Sequence, residues 1–190
     1  MSKKLPDVLF GIDTETSGLD PKDGAQCLSI GLITVKNDAE LTELDRLYLE
    51  IRFEPSRYTW SAVSEGIHGL SQSYLANNGL PMFSAALDIK NFIESFLRED
   101  EKIVLIGHNP AFDNKFFQQV CAAIGWEPPV SYRMVDTFSI GFGAMGLQNS
   151  NEIFDCVGQT RNAHNAMEDI EICMEFVRQV RRLVKNARTC

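Results

Sequence analysis

The chain has 190 residues, 44% of them hydrophobic, and a formal net charge of -8. That length buries one sizeable core, read here as one domain over 1–190, and the acidic balance excludes a basic domain that tracks many phosphates. No stretch approaches a membrane span and the opening MSKKLPD lacks the apolar run of a signal peptide, which points to a cytoplasmic protein. Cys27, Cys121, Cys156, Cys173 and Cys190 are odd in number and share no CxxC spacing, so buried, reduced thiols are expected rather than a disulfide framework or a zinc site.

In chain order, Asp7 to Thr14 and Gln26 to Val35 are apolar runs, and Asp45 to Phe53 alternates like a half-buried strand, which predicts three successive strands. Between the first two, Ser17 to Gly24 carries turn residues. Ser84 to Leu97 has helical spacing, and Ile103 to Gly107 fits a fourth strand. A helix from about Pro110 to Ile124, a short strand at Tyr132 to Asp136 and a final helix from about Ala166 to Val184 follow. Gly141, Gly143 and Gly146 break the pattern between the last two. Strands in a run followed by strand and helix units predict an α/β fold, a mixed sheet with helices on both faces.

Four carboxylates stand where carboxylates are costly. On the first strand Leu9, Gly11, Asp13 and Glu15 share one face, and Val8, Phe10 and Ile12 the other. Two anions that close hold a proton or recruit a cation, although a solvated edge strand can carry such a pair as well. Asn109-Pro110 reads as an N-cap and first helical residue. Asp113, four residues past that cap, then projects between Phe116 and Phe117 into the middle of an apolar stripe. Asn165, with Glu168 after it, repeats the signal, and Asp169 again falls four residues past the cap within an apolar face. One inward Asp is ordinarily a helix-start acid held by the helix dipole. Two of them beside a DxE pair, with no evident buried basic partner, suit Mg²⁺ or Mn²⁺. His164 precedes the last helix, in reach of the same site, and is suited to act as a general base.

These segments resemble the three motifs of the DEDDh exonucleases, the family of proofreading subunits of bacterial DNA polymerases, RNase T and oligoribonuclease. The motif stretches are Ile12-Asp13-Thr14-Glu15-Thr16-Ser17-Gly18-Leu19, Gly107-His108-Asn109-Pro110-Ala111-Phe112-Asp113 and Ala163-His164-Asn165-Ala166-Met167-Glu168-Asp169. Ile67-His68-Gly69-Leu70 is similar to a segment that contacts the terminal nucleotide in proofreading members. The resemblance spans about Asp7 to Val180 and implies an RNase H-like fold with a five-stranded mixed sheet. It implies hydrolysis of the 3′-terminal phosphodiester with two divalent cations, Mg²⁺ or Mn²⁺, held by Asp13, Glu15, Asp113 and Asp169, and His164 as the base. It also makes Thr14, Thr16, Leu19, His68, Asn109 and Phe112 candidate substrate contacts. Leu19 and Phe112 read equally well as core.

The implied partners are single-stranded or frayed 3′ ends, DNA by a slight preference drawn from IHGL. An exoribonuclease on short RNA is the alternative within the class, since a short substrate needs few phosphate contacts. A binding or assembly module without chemistry is the alternative outside it, disfavoured by the intact carboxylate set. A polymerase partner or a homodimer is left open. Arg178, Arg181, Arg182, Lys185 and Arg188 make the C-terminal end basic, which is ordinary complementation of a helix dipole before it is a phosphate track.

Overall fold

The computed structural model describes residues 5–158 and 165–187. Strand β1 (Val8–Thr16) pairs antiparallel with β2 (Cys27–Lys36), which pairs antiparallel with β3 (Glu43–Glu50). Strands β4 (Leu105–Gly107) and β5 (Val135–Asp136) extend the other side in parallel with β1, so the order is β3-β2-β1-β4-β5. This is the expected five-stranded mixed sheet. The two parallel strands are shorter than their apolar runs suggested, and ahead of them Ile103 forms an isolated bridge with Val130.

Helices α1 (Ala62–His68), α2 (Gln72–Asn78) and α3 (Met82–Glu94) follow β3, and α4 (Pro110–Ala122) follows β4. Helices α5 (Thr137–Met145), α6 (Ser150–Val157) and α7 (Ala166–Ala187) complete the described chain. The alternation in β1 sorts the core into two layers. Phe10 and Ile12 pack with Ile89 and Ile93 of α3 and Phe116, Phe117 and Val120 of α4. Leu9 packs on the opposite face with Ile170, Met174 and Val177 of α7. Burying such side chains is worth roughly 1.5–3 kcal/mol each, which fixes the helices to the two faces.

Helix α7 lies unusually close to the sheet because Gly11 and Gly31 face it. A Cβ on Gly11 would fall 2.6 Å from Ile170 Cγ2, and one on Gly31 2.9 Å from Ile170 Cδ1 and 3.3 Å from the Ala166 carbonyl group. The far half of α7 is clasped by the turn between β2 and β3. Arg178 donates to the carbonyls of Glu40 and Leu41, Arg181 to that of Asp38, and Arg182 pairs with Glu40. Three of the C-terminal cations are thus engaged in holding the helix to that turn; Arg188 lies outside the described residues.

Candidate active site

The carboxylates converge at the C-terminal ends of the parallel strands, the edge where ligands bind open α/β sheets. Asp13 and Glu15 project from the last part of β1 toward α7, as strand alternation requires. Asp169 sits in the first turn of α7, 3% exposed, and each of these three residues places a carboxylate oxygen within 4.8 Å of the others. The Asn165 side chain caps α7 as the sequence predicts, accepting from the amides of Met167 and Glu168.

Asp113 arrives from the other side of the sheet. It lies in the first turn of α4, also 3% exposed, and accepts a hydrogen bond of 2.8 Å from Thr14 Oγ1. Thr14 is out of phase with Asp13 and Glu15 on β1, so it faces α4 while they face α7. Helices from both faces therefore deliver one acid each to the same edge, with their positive ends pointed at it. Burial raises the Asp113 carboxyl to about 7, the Thr14 hydrogen bond opposes that, and the charge of Asp169 adds to it.

The expected Asn109 cap does not form. Asn109 occupies the position before α4 but does not cap it through its side chain; it adopts a left-handed conformation (φ 55°, ψ 54°), which Asn tolerates better than most residues. Its amide donates to Asp136 Oδ1 at 2.9 Å. Asp136 in turn caps α5 by accepting from the amides of Phe138 and Ser139. Asp136 is thus the bracket that sets the entry to α4, a role its sequence position did not reveal.

Asp13, Glu15, Asp113 and Asp169 line one cavity of about 270 Å³ together with Thr14, Thr16, Leu19, His68, Asn109 and Phe112. All six candidate substrate contacts are therefore on its wall. Leu19 is not core, being 82% exposed at the rim. Phe112 is half-buried and leans on Phe116 at 5.1 Å. His68 ends α1, where its Nδ1 accepts from the Leu70 amide at 3.0 Å and its ring meets Trp60 edge-on. His164 lies outside the described residues.

One wall of the cavity is built from residues that no sequence motif marked. Helix α6 brings Ser150 and Phe154 to the cavity, and His108 lies beside them, its Nδ1 3.2 Å from Thr137 Oγ1 and its Nε2 3.0 Å from Ser150 Oγ. A signal was present in Asn149 with Glu152, a cap that accepts the Glu152 amide.

An all-oxygen set of clustered like charges fits hard divalent cations. No Lys or Arg is among the described residues that line the cavity. The fold and this acidic edge define the class, a nuclease of RNase H-like architecture that hydrolyses phosphodiester bonds. A family model described as Exonuclease matches residues 10–177, and the chain belongs to that family. It is 28% identical over 182 residues to the 3′-5′ DNA exonuclease Cap18 of Escherichia coli, covering 93% of both chains. It is 32% identical over 109 residues to the DNA polymerase III subunit epsilon of Rickettsia conorii, spanning 40% of that protein and 55% of this one. Among solved structures, the nuclease domain of 3′hExo, a DEDDh family member, bound to rAMP superposes with a TM-score of 0.66 at 13% identity, covering 95% of this chain and 92% of that one. The zinc-bound complex of E. coli ExoI with single-stranded DNA gives 0.69 at 14% identity, covering 93% of this chain and 41% of that one.

Proposed function

We propose that the chain is a 3′-to-5′ exonuclease that removes nucleoside 5′-monophosphates from single-stranded 3′ ends, DNA by preference, using two divalent cations, Mg²⁺ or Mn²⁺. The observation that carries this reading is the gathering of Asp13, Glu15 and Asp169 within 4.8 Å, with the buried Asp113 on the same cavity wall. Asp13, Glu15 and Asp169 hold the cations, and Asp113 completes the set from the α4 side. When bound, such cations neutralise the phosphate and stabilise the charge of an in-line displacement.

The protein's own groups supply position and proton transfer. Thr14 fixes the Asp113 carboxyl. Thr16, Leu19, His68, Asn109 and Phe112 hold the terminal nucleotide, with the exposed Leu19 and the half-buried Phe112 offering apolar surface to its base. His164, placed in its role by the third motif alone, takes the proton of the attacking water. The preference for DNA is supported by the similarity to Cap18 along 93% of both chains.

The test is digestion of matched 5′-labelled single-stranded DNA, duplex DNA and RNA in Mg²⁺. Stepwise shortening of the DNA strand is expected, faster than that of the duplex. Faster loss of RNA would replace DNA by RNA as the substrate, and internal cuts would overturn the exonuclease reading.

A further inference from the structure

Helix α5 buries one side and exposes the other. Thr137 and Gly141 are buried, with Gly141 against Ile153 and Leu147, and Ile140 packs into the core beside α7. Phe138, Phe142 and Met145, at i, i+4 and i+7, share an exposed face beside it and are 38%, 57% and 43% exposed. Such a row of large apolar side chains on one face marks a binding surface more often than chance scatter does.

Its position says what it meets. The Phe138 ring stands edge-on to His108 at 6.0 Å, and His108 lines the acidic cavity beside Ser150 and Phe154. The row therefore begins at the cavity wall and runs away from it along the helix. The cavity itself offers no Lys or Arg among its described residues, and Lys115 near its Leu19 side is paired with Asp20 at 2.7 Å. A strand entering here meets acidic groups and aromatic faces. Stacking is the grip on a single strand that needs no positive charge and no particular sequence.

We propose that Phe138, Phe142 and Met145 form a stacking track for the unpaired bases that precede the terminal nucleotide. The track extends the substrate site of the proposed nuclease and rests on that reading. It makes base faces, rather than phosphates, the handle by which this chain holds a strand beyond the nucleotide it removes.

The test is a coupling experiment on a 5′-fluorescein-labelled oligothymidylate of about eight nucleotides, and on its analogue with abasic sites at the second to fourth positions from the 3′ end. In the unsubstituted protein the abasic strand should have a KM higher by about tenfold for each stacked base lost. Phe142→Ala should raise KM for the intact strand by a similar factor and leave that for the abasic strand nearly alone, while Phe142→Trp restores the difference. Tyr132→Ala, 87% exposed ahead of β5 near the N-terminal ends of the parallel strands, should change neither. Equal effects of Phe142→Ala on both strands, or none on either, overturn the track and leave this face to a protein partner. A protein that cleaves neither strand defeats the nuclease reading instead. Anisotropy titrations with the same labelled pair then decide the track alone, with loss of the abasic discrimination in Phe142→Ala supporting it and unchanged discrimination or no binding overturning it.

Discussion

The hydroxyl of Thr14 donates to the carboxyl of Asp113 across 2.8 Å, joining the strand that carries Asp13 and Glu15 to the helix on the far side of the sheet. The bond couples the two halves of the acidic site. It also works against burial, which holds the Asp113 carboxyl up at about 7.

That balance sets a pH dependence for the metal-free protein. An acid whose folded pKa is raised gives stability that is complete below its unfolded value near 4 and lost as pH rises through about 7. Stability in EDTA should therefore fall between about pH 4 and pH 7. Asp113→Asn should flatten that fall and make the protein more stable at pH 8, by at most roughly 4 kcal/mol. The same variant should lose activity by two orders of magnitude or more. Urea melts at a series of pH values check the first part, and the idea fails if Asp113→Asn is less stable than its parent at pH 8.

Thr14→Val removes the donor and keeps the shape. Asp113 then ionises less readily, so the Mg²⁺ concentration for half-maximal activity should rise about tenfold, as expected for a hydrogen bond to a charged group. The deficit should shrink as pH increases from 6.5 to 9. A Mg²⁺ titration at each pH reads this directly, and an unchanged requirement would separate Thr14 from the metal site.

Chelation should abolish turnover, and Mg²⁺ or Mn²⁺ should restore it. Either cation should also raise the melting temperature of the unsubstituted protein, since a ligand that binds only the folded state stabilises it. Asp13→Asn and Asp169→Asn should stay folded, lose most of that thermal shift and lose activity by orders of magnitude. Turnover in EDTA would defeat the mechanism.

Ionic strength offers an independent measure. With no Lys or Arg among the described residues lining the cavity, few counterions are displaced on binding. The slope of log kcat/KM against log salt should stay shallower than about -2. A slope near that of a polybasic binder would require a cationic surface elsewhere.

The close approach of α7 can be tested without touching any polar group. Gly31→Val would drive a side chain toward Ile170 and the Ala166 backbone, in the same helical turn as Asp169. Overpacking of this kind costs about 1–3 kcal/mol, and a displacement of even about 1 Å can cost roughly 100-fold in rate. Activity should therefore fall much further than the stability loss explains. Comparing kcat with the urea midpoint distinguishes the two.

Much of this arrangement was legible in the residue order. Apolar runs marked β1 and β2 and an alternating run marked β3, and the projections of Asp113 and Asp169 onto apolar stripes placed both acids inward, as the structure does. What escaped was short or supported from afar. Helices α1 and α2 have seven residues each, too few for a helical period to stand out, and the caps Ser61 and Ser71 were their only local sign. Helix α5 was hidden by its own Gly141 and Gly143, residues that weaken helices elsewhere, although Gly141 here lets α5 pack against Ile153 of α6. Asn109 does not cap α4 because its backbone is left-handed rather than extended, and its amide is held by Asp136, 27 residues away, a tertiary bond that no local pattern encodes.

Gly11 and Gly31 extend what belongs to this site. Each contributes only the space of a missing side chain, and Asp169 reaches Asp13 because α7 fills that space. Anyone grafting these acids onto another scaffold would have to carry over the two bare backbone positions as well, or the transplanted carboxyls would stand apart.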